Sequence, residues 1–439
     1  MPTWVTLRLC VLVALSTLLG CRSPLPDLDD AHRDLSDALP AFVGAEGFGT
    51  DTTGGRGGDV LVVTTLDADG AGSLAEALAH PAPRTVVFAV SGTIWLAANL
   101  VIDQPYLTLA GQTAPGDGVT LAGAGLSIRT HDVVVQHLRI RVGDGEGHNP
   151  EDRDAVQLIG VDDGSVEVAR VVIDHCSLSW ATDEIASTWY PGVHDVTFSH
   201  NLFGEGLSNS LHPEGEHSKA LLIGDSSRRI SVVRNVFVHN VDRNPVVGGD
   251  ATAHIVNNLI YNPGQFAIAL YQGAGWGPSL AAVEGNVMIA GADTEDWTRA
   301  LRVTADADAQ SRVYAVDTGT VESDHDGVLT DERVVSATPT SVWAAADVEA
   351  RLLDDVGAVP LRRDAVDLRL IADVQNRTGR VIDSQDDVGG WPDLAEVSSD
   401  PVERGMPSDA SVDDNDDGYT NLEHWLHALD AAARPSPTM

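Results

Sequence analysis

The feature that most constrains the fold is a short motif that returns along the chain. QHLRI, HCSLS, HNLFG, RNVFV, NNLIY and GNVMI align with His137, Cys176, Asn201, Asn235, Asn258 and Asn286 at the second position. The successive spacings are 39, 25, 34, 23 and 28 residues. The shortest match one coil of a parallel β-helix, and the longer ones match a coil carrying an inserted loop. A single coil cannot bury its inner face, so neighbours must stack. Asn residues at one corner of such a stack can pass side-chain hydrogen bonds from rung to rung. The surrounding sequence agrees. Short β-branched runs such as DVLVVTTL, RTVVFAVSGTI and DVVVQHLRIRV alternate with Gly, Asn and Asp turns. Helical patterning is rare, with SLAEALAH (73–80) a short exception. The expected fold is therefore all-β, a single-stranded parallel β-helix with long inserted loops.

The N-terminus points to export. Arg8 precedes the apolar run LCVLVALSTLLG, which is too short to span a membrane comfortably. The run ends in Leu18-Leu19-Gly20-Cys21, which resembles a bacterial lipoprotein signal. On that resemblance residues 1–20 are a signal peptide and Cys21 is lipidated. Arg22 in place of Asp then implies the outer membrane or cell surface; an ordinary signal would give a secreted protein. Residues 21–40 read as a polar tether and 41–300 as the β-helix. Cys10 leaves with the signal and Cys21 carries lipid, so Cys176 stands alone and no intramolecular disulfide is possible. The formal net charge of −38 excludes the basic footprint of a nucleic-acid binder. Such a chain can still handle a polyanion if a cation bridges the two. A monomer is expected.

In IDHCSLSWATDEIAS (173–187) the carboxylates of Asp183 and Glu184 stand side by side, either as solvated turn residues or around a positive charge. His175, within the same stretch, reads as a structural, hydrogen-bonded histidine. His212 and His217 lie in the insertion GLSNSLHPEGEHSK, close to Lys219, and are candidates to line a cleft. Residues 301–400 are acidic and helical in pieces, a segment of loops and short helices expected to pack back on the solenoid. The acidic tail, 401–439, contains DDNDDGYTNLEHWLHAL. There Asp413, Asn415, Asp417, Gly418 and Glu423 partly match a second calcium loop, with His424 where the twelfth-position acid belongs.

Several stretches in order, GAEGFGTDTTGGRGGDVLVVTTL, GSLAEAL, VVFAVSGTIWL, LAGQTAPGDGVTL, IDHCSLSWATDE and RNPVVGG, together resemble the pectate lyase family over about residues 41–290. The resemblance implies a right-handed parallel β-helix and a calcium-dependent lyase acting on polygalacturonate or a related acidic polysaccharide. Asp154 and Glu184 match the family's calcium ligands. A further family Asp falls on Thr188, so Asp183 is expected to substitute for it. Lys219 matches the substrate-binding lysine and Arg243 the catalytic arginine; His217, from its place near Lys219 alone, is expected as a second substrate contact. A second family arginine falls on Gly248. The implied chemistry is β-elimination: the C5 proton, α to the sugar carboxylate, is removed, the C4–O bond breaks, and a 4,5-unsaturated oligogalacturonide forms. Two other functions remain open at this stage. One is hydrolysis on the same fold, which needs facing carboxylates as acid and base. The other is non-catalytic polysaccharide binding at the cell surface.

Overall fold

The computed structural model describes residues 28–271 and 276–435. The expected signal segment and Cys21 lie outside the described residues. The chain winds as a right-handed parallel β-helix whose coils contribute strands to three long sheets. Two have nine strands and one has eleven. Pairing within these sheets is parallel, except where Val397–Ser398 runs antiparallel along Val90–Trp95. The stacked strands continue through Val321–Ser323 and Leu329–Thr330, so the boundary expected at residue 300 falls short of the solenoid's end.

Registers, rather than composition, decide which side chains face inward. Along one sheet Ile128, Leu158, Thr188, Ile223, Val247, Leu270 and Val303 are successive partners. All but Thr188 are apolar, and all are buried. Burying such a file removes apolar area from water at about 25 cal/mol per Å² and supplies the main drive for stacking. At one corner the chain turns through left-handed residues. His137, His175, His200, Arg234 and Asn257 have φ between +48° and +57°, a conformation non-glycine residues rarely adopt. The next residue in each coil holds the turn. Asn201 accepts from the Cys176 N–H at 2.8 Å, Asn235 from the Asn201 N–H, Asn258 from the Asn235 N–H and Asn286 from the Asn258 N–H, each of these three at 2.9 Å. The repeat is therefore a hydrogen-bonded ladder. Its alignment needs one correction. Arg139 pairs with Ser177, so the position equivalent to Cys176 is Leu138, and His137 belongs to the preceding, left-handed column. A leucine has no group to offer the ladder, so pattern matching slides to the polar neighbour.

The segments outside the solenoid are docked on it. His32–Asp34 pairs in parallel with Ser336–Thr338, Ala31 and Leu35 are buried, and Arg33 bridges Asp51 and Asp195. Residues 28–40 are thus a clasp held by burial and ion pairs, in place of the free tether expected there. Two helices, Ala345–Leu352 and Ala365–Asn376, cover the outer face of one nine-stranded sheet. Their Val348, Leu352, Leu370 and Val374 pack on Leu202, Val236, Val238 and Leu259. Gly204 permits that contact, since a Cβ there would stand 2.6 Å from the Leu370 side chain. Asp364 caps the second helix and, with Asp367, neutralises the buried Arg141. The final helix, Asn421–Ala433, seats Leu422 and Leu426 against Ala110. Among the described residues no helix is long and apolar enough to cross a membrane.

Candidate active site

The candidate residues lie at the starts of successive strands in one nine-stranded sheet. Its neighbours run Val156–Ile159, Glu184–Trp189, Lys219–Ile223 and Val246–Val247. The stretch 173–187 is therefore not one strand. It turns a corner after Asp174, forms Ser177–Ser179, turns again, and starts a new strand at Glu184. Val156 pairs with Ala186, which sets Asp154 level with Glu184. Glu184 pairs with Lys219, and Lys219 bridges to Asp242, the neighbour of Arg243. Coils about 4.8 Å apart thus bring Asp154, Glu184, Lys219 and Arg243 to one edge of the sheet.

Carboxylate oxygens of Asp154, Asp183 and Glu184 lie within 4.8 Å of one another. Asp154 is buried, one oxygen accepts from the Ser187 hydroxyl, and the other has no hydrogen-bond partner among the described residues. Burial first, and the charge of Asp183 second, push the Asp154 carboxyl well above the usual carboxylate range. Asp183 leans the other way: His217 Nε2 lies 3.0 Å and His212 Nε2 3.6 Å from its Oδ1, with the two imidazoles stacked at 3.6 Å between centroids. Burial and the neighbouring His217 hold His212 below its ordinary value. Glu184 is paired with Arg243 Nη1. Arg243 Nε donates to Tyr271 Oη at 3.1 Å, and that hydroxyl donates to Asp242 Oδ2 at 2.8 Å. Burial raises the Asp242 carboxyl, against the lowering effect of the Tyr271 hydrogen bond, and burial with Asp242 raises the Tyr271 phenol.

Lys219 is the only lysine in the chain. Among the described residues its ammonium has neither a salt bridge nor a hydrogen bond, whereas Arg243 is tied to Glu184 and Tyr271. The site therefore offers an unpartnered cation beside three clustered carboxylates.

These donors fit calcium. They are hard oxygens converging from two coils, and the unpartnered Asp154 Oδ1 is a ligand atom with nothing else to bind. Two expectations about neighbouring positions change. Thr188 stands in the buried, inward-facing file between Leu158 and Ile223. Gly248 is held by its backbone, its N–H donating to Ile223 O at 2.7 Å, and the phenol of Tyr271 is what stands beside Arg243. Ser187, Asp242 and Tyr271 were not anticipated. Asp242 sits next to the recognised Arg243, but Ser187 and Tyr271 carry no local signal, because their roles depend on coil register.

In the tail, Asp413 accepts from the Gly418 N–H, Asn415 from the Asp417 N–H and Asp417 from the Tyr419 N–H, so these three fold one tight loop. Glu423 does not join them. Its carboxylate caps the last helix through Thr420 and pairs with Arg56 at 2.7 Å, so it is unavailable as the loop's closing ligand. His424 lies 3.4 Å from Asp417 instead.

No protein-family model matches the chain. Among curated proteins it is similar to probable pectate lyase C of Aspergillus flavus, with 34% identity over 429 residues, covering 90% of this chain and 95% of that protein. Probable pectate lyase C of Emericella nidulans is 33% identical over 430 residues, covering 89% and 93%. Among solved structures, jun a 1, the major allergen from cedar pollen, superposes with a TM-score of 0.50 at 19% identity, covering 72% of this chain and 92% of that one, a likeness of fold.

Proposed function

The chain belongs to the pectate lyase family and is a polysaccharide lyase; on that premise we propose that it cleaves polygalacturonate by calcium-dependent β-elimination at the edge formed by Asp154, Glu184, Lys219 and Arg243. The observation that carries this reading is the free ammonium of Lys219 beside the three-carboxylate cluster. Asp154, Asp183 and Glu184 would hold the ion, with Ser187 fixing Asp154 and His217 fixing Asp183. Calcium, when bound, withdraws charge from the uronate carboxylate and so acidifies the C5–H.

The protein's own groups do the rest. Lys219 binds a substrate carboxylate and spreads the second negative charge that forms on the enolate. Arg243 is fixed through Nη1 by Glu184 and through Nε by Tyr271, and among the described residues Nη2 has no hydrogen-bond partner. Nη2, in the neutral form of the side chain, takes the C5 proton, and the guanidinium so formed holds the developing enolate. The C5–H electrons become the 4,5-double bond, and the C4 oxygen leaves with a proton from solvent or a neighbouring acid. No water is consumed.

The same reading extends to export, with Cys21 as the lipid-bearing residue, on the strength of the Leu18–Cys21 motif. The decisive experiment is turnover of polygalacturonate with and without chelator, following ultraviolet absorbance and new reducing ends together. Absorbance that rises with reducing ends and disappears on chelation is expected. Reducing ends without absorbance would mean hydrolysis. Polymer retention with neither, unchanged in Arg243→Ala, would mean a binding protein.

A further inference from the structure

The coils beyond Arg243 carry aromatic rings on the same corner. The backbone N–H of Phe266 bonds to Val241 O at 3.2 Å, so its turn lies directly on the turn that holds Asp242 and Arg243. Glu295 N–H and the Thr298 hydroxyl bond to Gly264 O, which lays the turn of Trp297 on that of Phe266. The rings form an unbroken run. Tyr271, in contact with Arg243, lies 5.9 Å from Phe266 between centroids, and Phe266 lies 5.3 Å from Trp297. Trp297 is 47% exposed. Two exposed carboxylates, Glu295 and Asp296, flank it, and among the described residues neither is paired with a cation. The nearest arginine in sequence, Arg299, is bound to Glu322 at 2.9 Å.

We propose that Phe266 and Trp297 form a sugar-binding platform that continues the cleft past Arg243 and takes a methyl-esterified galacturonate ring, making the enzyme tolerant of partly esterified pectin on that side. This rests on the proposed cleavage of a galacturonan. One face of a pyranose ring is lined by C–H groups and stacks on an exposed indole, which gains by covering its apolar area. A free uronate at this place would set its charge beside Glu295 and Asp296, within the Debye length of about 8 Å at physiological salt, while the neighbouring guanidinium of Arg299 is already held by Glu322 and the Asp296 carbonyl. A methyl ester removes that charge and adds an apolar group. The acid cluster and Lys219 select a charged ring at the bond to be cut; the platform selects a neutral one further along.

The test compares wild type with Trp297→Ala on polygalacturonate and on pectin of intermediate esterification. It measures KM and kcat by product absorbance, and retardation in gels containing each polymer, which needs no turnover. The expected result is a rise of about fivefold in KM on the esterified pectin, the size of one lost stacking contact. The kcat should stay within about twofold, retardation by pectin should fall, and polygalacturonate should be unaffected. A Glu295→Gln/Asp296→Asn double variant, which leaves the rings in place, should lower KM for polygalacturonate. Equal changes on both polymers, or none on either, would overturn the proposal. A wild type retarded by pectin that yields no unsaturated product would sink the cleavage reading, while the gels would still decide the platform.

Discussion

Replacing Asp154 with asparagine should separate stability from function in opposite directions. Asp154 is buried, with one oxygen bonded to Ser187 and the other unpartnered, and burial and Asp183 raise its pKa. A carboxyl raised above its unfolded value stabilises the fold fully below that unfolded value. It loses the contribution as pH rises through the folded value. Without calcium, therefore, the wild type loses stability on going from acid towards neutral pH, and an asparagine, which does not titrate, escapes that loss. The penalty for leaving a buried polar group unpaired is about 1–3 kcal/mol, with a charged one towards the upper end. Asp154→Asn should be more stable than wild type by roughly that amount at pH 8 in chelator. Calcium should reverse the order. At a free concentration one hundred times its dissociation constant, a ligand bound only by the native state stabilises it by about 2.7 kcal/mol. The variant, with a ligand removed, should gain little and should have lost activity. Urea titrations of both proteins at pH 5 and pH 8, each with calcium and with chelator, give all the terms. A variant less stable than wild type in chelator, or equal calcium gains in both proteins, would refute the account of the cluster.

Three further outcomes follow from single residues. Because Lys219 is the only lysine, amine acetylation should abolish activity, polygalacturonate should protect, and Lys219→Ala should lower kcat/KM by about 100-fold; full activity in a chain shown by mass spectrometry to be acetylated at Lys219 would remove it from the site. Asn235→Leu strands the Asn201 N–H and the Phe198 carbonyl, two buried groups, and should cost about 3–5 kcal/mol in urea unfolding; a loss under 1 kcal/mol would mean the ladder follows the fold without supporting it. Burial pushes the Cys176 thiol up to about 12, so alkylating reagents at pH 8 should leave it intact in the native protein and label it only on unfolding, as mapped by peptide mass spectrometry.

The solenoid was legible because its ladder needs one residue type at one place per coil, and Asn201, Asn235, Asn258 and Asn286 kept it. The ladder's start was misread at His137 because Leu138 offers no side-chain hydrogen bond to recognise. Strand starts that carry charge, Glu184 and Lys219, were also visible, since a coil's outer edge shows its polar residues in plain sequence. What the sequence hides is register. Whether position 188 faces inward or outward follows from pairing with Leu158 and Ile223, and a one-residue slip inverts every side chain. Tyr271 reaches Arg243 only because a whole coil intervenes. Docked segments are hidden for a related reason. Residues 28–40 and the helix 421–433 look like polar linker and acidic tail, yet a few apolar anchors, Ala31, Leu35, Leu422 and Leu426, hold them down.

The paired acids at 183 and 184 are tolerable because the fold separates their partners while keeping their oxygens close. Glu184 looks along the sheet to Arg243, Asp183 looks out to His217, and Asp154 comes up between them with an unpaired oxygen. Such a cluster, in a chain of net charge −38, would repel a polyanion unless local cations dominated at short range. Screening confines each charge to about 8 Å at physiological salt, so the many surface carboxylates matter less to a bound sugar than one ammonium and one guanidinium in contact with it. The physical requirement is then a cation that the protein has not already satisfied. Arg243 is engaged by Glu184 and Tyr271, and among the described residues Lys219 is not engaged; an arginine placed there would offer a planar fork suited to pairing with a neighbouring carboxylate. On the proposed elimination, the one lysine of the chain stands where an unsatisfied positive charge would be most useful, holding a carboxylate while a second charge develops beside it.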